Sequence, residues 1–123
     1  MQSGQFVSHA VLTEAVDEEN RAISPAAKFN RNTPKIICAF ELLKSSKGKK
    51  MEAVWIAEDV GGVAPPNFVI DVWSLDLPSS SVWTFEPATT ELSRPTNGWP
   101  VGQYRLELRF DDDIDLTLPF TIE

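Results

Sequence analysis

Cysteine, histidine and tyrosine each occur once in this chain of 123 residues, and no apolar run approaches the ~20 residues that a membrane helix needs. Each shortage narrows the possibilities. A single cysteine, Cys38, cannot close an internal disulfide, so the fold must stand on packing alone. A single histidine, His9, without a cysteine cluster, argues against a zinc site. Basic residues are also scarce: eleven Lys and Arg against eighteen Asp and Glu leave a net charge of −7. Such a chain repels the phosphates of nucleic acid and of an anionic membrane surface over the distance that salt leaves unscreened. The acidic excess reads as solubility. A Gly-x-Ser-x-Gly elbow, a Gly-rich phosphate loop and any cofactor motif are missing, so no catalytic residues are assigned and an enzyme is not expected. The start, Met1 to Gln5, lacks a basic region followed by an apolar stretch. No secretion signal is therefore expected within the chain. The compartment is periplasmic or extracellular if a signal was removed, and otherwise cytoplasmic.

What remains is ample for one domain, residues 1–123. A chain of this length buries roughly two thirds of its unfolded surface, and seven Phe, four Trp and one Tyr supply the bulk. The pattern is one of short strands. Phe6 to Val16 alternates with mixed faces. Ile23 to Pro34 is loop-like, with Phe29 as its anchor. Lys35 to Lys44 reads as a central strand with Ile36, Cys38, Phe40 and Leu42 on one face. Ser45 to Lys50 then reads as a hairpin loop, and Met51 to Asp59 as the partner strand, with Trp55 in the core. From Phe68 to Leu77 the alternation slips, which predicts a β-bulge near Val72 and Trp73. Val82 to Glu86 reads as a short strand and Pro87 to Pro100 as a long connection. About seven strands between turn signals, with no sustained 3.6-residue apolar period, predict an all-β antiparallel sandwich.

The closing segment, Asn97 to Glu123, is the most explicit. Tyr104, Leu106, Leu108 and Phe110 alternate with polar residues. After Asp111-Asp112-Asp113 the apolar set resumes at Ile114, Leu116, Leu118, Phe120 and Ile122. Every inward position is even-numbered, so a hairpin must pair residues whose numbers sum to an even value. A three-residue loop would set Phe110 opposite Ile114 and leave Arg109 facing Asp115 outside. A two-residue loop would instead place Phe110 against Asp115 and put a carboxylate in the core, at a cost of several kcal/mol, so a three-residue loop is expected. Pro119 lacks a ladder N–H, which suits an edge or a bulge.

The run Gly98-Trp99-Pro100-Val101-Gly102-Gln103-Tyr104, followed by Leu118 to Ile122, resembles the closing strands of bacterial immunoglobulin-like domains of uncharacterised envelope or secreted proteins. The resemblance implies an immunoglobulin-like sandwich. It also implies that Tyr104 is a corner residue, that Trp55 packs in the core, that Leu106 stands where the second disulfide cysteine would be, and that Cys38 is a buried free thiol.

The remaining candidates are weaker. Trp73, Trp83 and Trp99 flank turns and are candidate ligand-binding residues, as a sugar platform or a protein hot spot if exposed. Asp111, Asp112 and Asp113 could offer oxygens to calcium, although their spacing matches no EF-hand loop and a solvated hairpin tip is the simpler reading. The expected function is therefore a non-enzymatic module that binds another protein, with a carbohydrate-binding module as the alternative. No identity for the partner and no oligomeric state can be read from the chain.

Overall fold

The computed structural model describes residues 2–79 and 86–123. It contains ten strands: β1 (Val7–Thr13), β2 (Ala15–Val16), β3 (Ala22–Ile23), β4 (Lys28–Phe29), β5 (Lys35–Leu42), β6 (Lys50–Asp59), β7 (Phe68–Asp76), β8 (Glu86–Ser93), β9 (Gly102–Phe110) and β10 (Asp113–Ile122). Three of them, β2 to β4, are two-residue pieces, which leaves seven long strands. One sheet has the order β1-β5-β8 and the other β4-β10-β9-β6-β7, while β2 and β3 form a small ribbon. The sheets are antiparallel except for the short parallel contact of β4 with β10.

The core lies between the two main sheets. Ile36, Cys38, Phe40 and Leu42 from β5 meet Met51, Ala53, Trp55 and Ala57 from β6, together with the even-numbered residues of β9 and β10. Aromatic rings run through it in sequence. Trp99 sits edge-on to Tyr104, Tyr104 stacks on Phe120 at 5.2 Å, and Phe120 meets Trp55 and Phe29 edge-on at 6.1 Å each.

Several expectations are corrected. β5 and β6 do not form a hairpin: β5 pairs with β1 and β8, and β6 with β7 and β9. The connection passes through a 3₁₀ turn at Lys44–Ser46 and crosses from one sheet to the other. Two strands packed face to face show the same alternation as two strands paired side by side, so the pattern could not separate the cases. The stretch read as a loop from Pro87 contains β8, whose Ala88, Thr90 and Leu92 turn inward.

The closing hairpin reaches its even register by another route. Its turn has two residues, Asp111 and Asp112, both with positive φ, and Phe110 faces Asp113. Two-residue turns of this handedness match the twist of the flanking strands. The register then shifts between Ile114 and Leu116, after which Leu116 faces Leu108 and Phe120 faces Tyr104. The bulge falls on Asp115. It keeps the carboxylate out of the core as a longer loop would have done, but it leaves Ile114 outside, 55% exposed.

The bulge expected in β7 is present two residues earlier. Trp55 faces Asp71 while Ile56 faces Val69, so Ile70 is the extra residue. Phe68 and Ile70 thereby share the inner side with Trp73, Leu75 and Leu77. The mixed faces of β1 have the same kind of cause, a bulge between Ser8 and Val11 that places His9 at φ 56°.

Candidate functional site

The sandwich has two flanks. On one, β1 lies against β10. The Asp115 carboxylate accepts the N–H groups of Gln5 at 2.8 Å and Phe6 at 3.0 Å. Gly4 lies so close to that carboxylate that any Cβ would collide with it. Phe6 covers Phe110 with ring centroids 5.1 Å apart, and Lys49 lies over the Phe6 ring. Farther along β10, β4 pairs with Thr121 and Ile122. Pro119, opposite Arg105, stands where β10 has no β4 partner.

The other flank is bounded by β7. It is the terminal strand of its sheet, so one row of its backbone groups has no strand partner among the described residues. Its apolar side chains are unusually open: Phe68, Val69, Val72 and Leu75 are 47%, 48%, 47% and 43% exposed. Natural edges are commonly blunted by Lys, Pro or a bulge. β7 has the bulge and two acids, Asp71 and Asp76, but neither Lys nor Pro. Asp71 also occupies one backbone donor, the N–H of Val72 at 3.0 Å. Beside the first half of β7 lies an open cavity of 280 Å³, lined by Ala57, Val60, Phe68, Ile70, Trp99 and Tyr104 and roofed by the turn at Pro95–Gly98.

The structure moves most candidate residues away from ligand chemistry. Trp99 is only 1% exposed, and its indole N–H donates to the Thr33 carbonyl at 2.7 Å. Its ring is an internal wall and cannot form a free sugar platform. Trp73, opposite Ala53, packs part of its ring against the core. Trp83 lies outside the described residues. Trp55 is fully buried, and its indole N–H has no hydrogen-bond partner among the described residues. Tyr104 donates to the Pro100 carbonyl at 2.5 Å, which ties the start of β9 to the preceding loop, and burial pushes its hydroxyl up to about 12. Leu106 is fully buried. Cys38 is free and buried; desolvation pushes its thiol up to about 12, so it stays protonated at neutral pH.

The acidic hairpin tip is engaged within the fold. Asp111 accepts the Lys50 N–H at 2.9 Å and the Lys49 ammonium at 3.3 Å, and these contacts, the backbone one foremost, hold its carboxyl below the ordinary value. Asp115 is bonded instead to the Gln5 and Phe6 amides. Asp112 and Asp113 therefore lack converging acidic partners, and no group of three or more His, Cys, Asp or Glu residues gathers among the described residues.

His9 approaches Ser8 at 3.0 Å and Glu41 at 3.5 Å, yet both contacts fall on Nδ1. A base that takes a proton from serine needs one ring nitrogen on the hydroxyl and the other on the carboxylate. This trio does not present that arrangement.

One feature escaped sequence reading altogether. Glu107, on the outer face of β9, is 5% exposed and is clasped by Arg105 at 2.9 Å and by Arg109. Burial pushes its carboxyl up, but the hydrogen bonds and charge of the two guanidiniums outweigh this and hold it below the usual range. Arg105 reaches Glu58 as well, at 3.2 Å. The alternation Arg-x-Glu-x-Arg marked these residues as outward, and only the neighbouring strands show that the central one is buried.

No family model and no curated protein matches the chain. Among solved structures it is similar to an immunoglobulin-like protein from Pseudomonas aeruginosa. The TM-score is 0.61 at 12% identity, over 99% of this chain and 98% of that one. It is also similar to part of the alkylpurine DNA glycosylase AlkC of Pseudomonas fluorescens, solved bound to DNA containing an abasic site analogue. There the TM-score is 0.54 at 13% identity, over 100% of this chain and 31% of that one. At these identities the likeness defines the fold: an all-β, immunoglobulin-like sandwich without a disulfide.

Proposed function

We propose that the chain is a non-enzymatic interaction module that binds another protein through its β7 flank. The observation that carries this reading is the open edge itself, a nine-residue strand with four large apolar side chains at least 43% exposed. Exposed apolar surface of this kind on a soluble fold marks interaction sites, and a free strand edge offers backbone hydrogen bonds to a partner. An immunoglobulin-like sandwich suits such a role. The DNA named for the glycosylase is not carried over, because a net charge of −7 opposes phosphate binding. The likeness of the closing strands to those of bacterial envelope domains supports an envelope or secreted setting, which cell fractionation would check.

The test is site-specific photo-crosslinking in the source cells, with the photoreactive residue at Val72 or, as a control, at Thr117 on β10. Protein adducts concentrated at Val72 and removed by Leu75→Lys are expected. Equal adducts at both positions would refute the assignment of the β7 flank. The carbohydrate alternative has lost Trp99 to the core, and no observation favours it.

A further inference from the structure

We infer that the partner is an extended protein segment, rich in Lys or Arg with apolar residues at alternate positions, that adds as a sixth strand to β7 and seats one apolar side chain in the adjoining cavity. This rests on the proposed role of β7 and specifies the chemistry of what binds there.

Two sets of observations point to this occupant. The first is shape. A strand laid along β7 directs every second side chain to the inner side of the sheet, the side shared by Phe68 and Ile70. Both of these residues line the 280 Å³ cavity, whose other walls include Ala57, Val60, Ala64, Trp99 and Tyr104. An apolar cavity of ~150 Å³ holds benzene, so this one has room for a Leu, Met or Phe side chain. Two polar groups of its wall are engaged, the Tyr104 hydroxyl donating to Pro100 and the Trp99 indole to Thr33, which leaves Thr96 and Asn97 in a lining that is otherwise mainly apolar. A polar small molecule would find few free partners, whereas an apolar side chain needs none. Backbone pairing for affinity and side-chain pockets for selectivity are the two components of recognition by strand addition.

The second set is charge. Between Lys50 and Arg94 the sequence contains no Lys, Arg or His, while Glu52, Glu58, Asp59, Asp71 and Asp76 all fall on β6 or β7. Arg105 engages Glu58, Arg109 faces Glu52 and Lys50 faces Asp76 across the ladder, but Asp71 and Asp76 form no salt bridge among the described residues and Asp71 has no cation opposite it. Both lie on the strand that receives the partner. Cationic side chains on an added strand would stand beside them, and opposite charges on neighbouring strands stabilise pairing while like charges oppose it. The same argument disfavours a second copy of this chain, because two such edges would bring together acidic strands of molecules that each carry −7.

The probe is a ten-residue peptide, acetylated and amidated, alternating Lys and Val with one central Phe. It is titrated into the full chain and followed by backbone amide NMR shifts. Three control peptides accompany it: one with Glu for Lys, one with the same composition scrambled to destroy alternation, and one N-methylated along a single edge. Expected are saturable shifts in residues 68–76 and at Trp99, no binding of the Glu peptide, and about tenfold weaker binding on N-methylation, scrambling or the double substitution Asp71→Lys and Asp76→Lys. Ala64→Phe, which places a ring at the cavity wall, should weaken the peptide carrying Phe and leave an all-Val peptide unchanged. Equal binding of the Lys and Glu peptides, or indifference to N-methylation, would overturn the inference. If the peptide fails while crosslinking at Val72 succeeds, the partner class is wrong and the β7 interface stands. If light scattering shows a dimer that Val72→Lys abolishes, the occupant is a second copy and the inference falls.

Discussion

The two flanks of this sandwich are made from similar material and end in opposite states. On the β1/β10 side a bulge turns Asp115 toward the Gln5 and Phe6 amides, Gly4 leaves room for it, and Phe6 covers Phe110. On the β7 side a bulge at Ile70 leaves apolar side chains open on both faces, and its acid, Asp71, reaches only as far as the Val72 N–H. The same device, one extra residue and one carboxylate, seals one edge and leaves the other available. The difference lies in whether a second segment is present to receive the acid.

The sharpest way to break the comparison is to make the same truncation on each side of it. Phe120→Ala, in the middle of the aromatic series, should cost about 3–5 kcal/mol, whereas Phe68→Ala on the open flank should cost about 1 kcal/mol or less. Urea unfolding midpoints measure both, and equal losses would mean that β7 belongs to the core.

A smaller effect separates the two carboxylates. Asp115→Ala releases two backbone donors and should cost about 1–2 kcal/mol after allowance for partial exposure. Asp71→Ala should stay within about 0.5 kcal/mol. Amide exchange at Gln5 and Phe6 should accelerate in the first variant only.

The acid in the centre of the outer face provides a control belonging to neither flank. The Glu107 carboxyl is held below its ordinary value of 4.5. Its ion pairs therefore add stability above that pH, and the contribution is lost as the pH falls through the lowered folded value. Glu107→Gln should lower stability by about 1 kcal/mol at pH 7, and the gap to the parent should close on acidification below 4.5. Thermal melts across pH 2.5–7 would show it, and a gap that stayed constant would contradict the ion-pair account.

The smallest expected change in stability has the largest expected consequence for binding. Val72→Lys should leave the melting temperature nearly unchanged, since Val72 is 47% exposed. It should nevertheless weaken the Lys-Val peptide about tenfold in the amide NMR titration by placing a cation and a long side chain on the edge.

Much of the fold was legible because period-2 alternation is a local property. The even-numbered apolar residues of β9 and β10 other than Ile114, the β5 face with Cys38 and the anchor Phe29 went where the pattern put them. The slip in the alternation of β7 also showed that a bulge was needed there, although not its exact position. The pattern was silent on partnership: β5 and β6 looked like a hairpin and proved to face each other across the core. Composition misled at β8, where Pro and Thr suggested a loop.

For the candidate site, sequence pointed to aromatics near turns, and burial reversed the sign of that signal for Trp99. Glu107 and the β7 cavity left no local mark, because each is assembled from segments far apart in the chain.

By itself, then, the sequence determined the class of the protein, the faces of its long strands and its acidity, since all three follow from residue type and near-neighbour spacing. Only the tertiary structure decided which strands are edges, which tryptophan is hidden and which carboxylate is buried. Those properties depend on what lies across the core or beside the sheet, and such contacts join residues whose separation along the chain has no periodic signature.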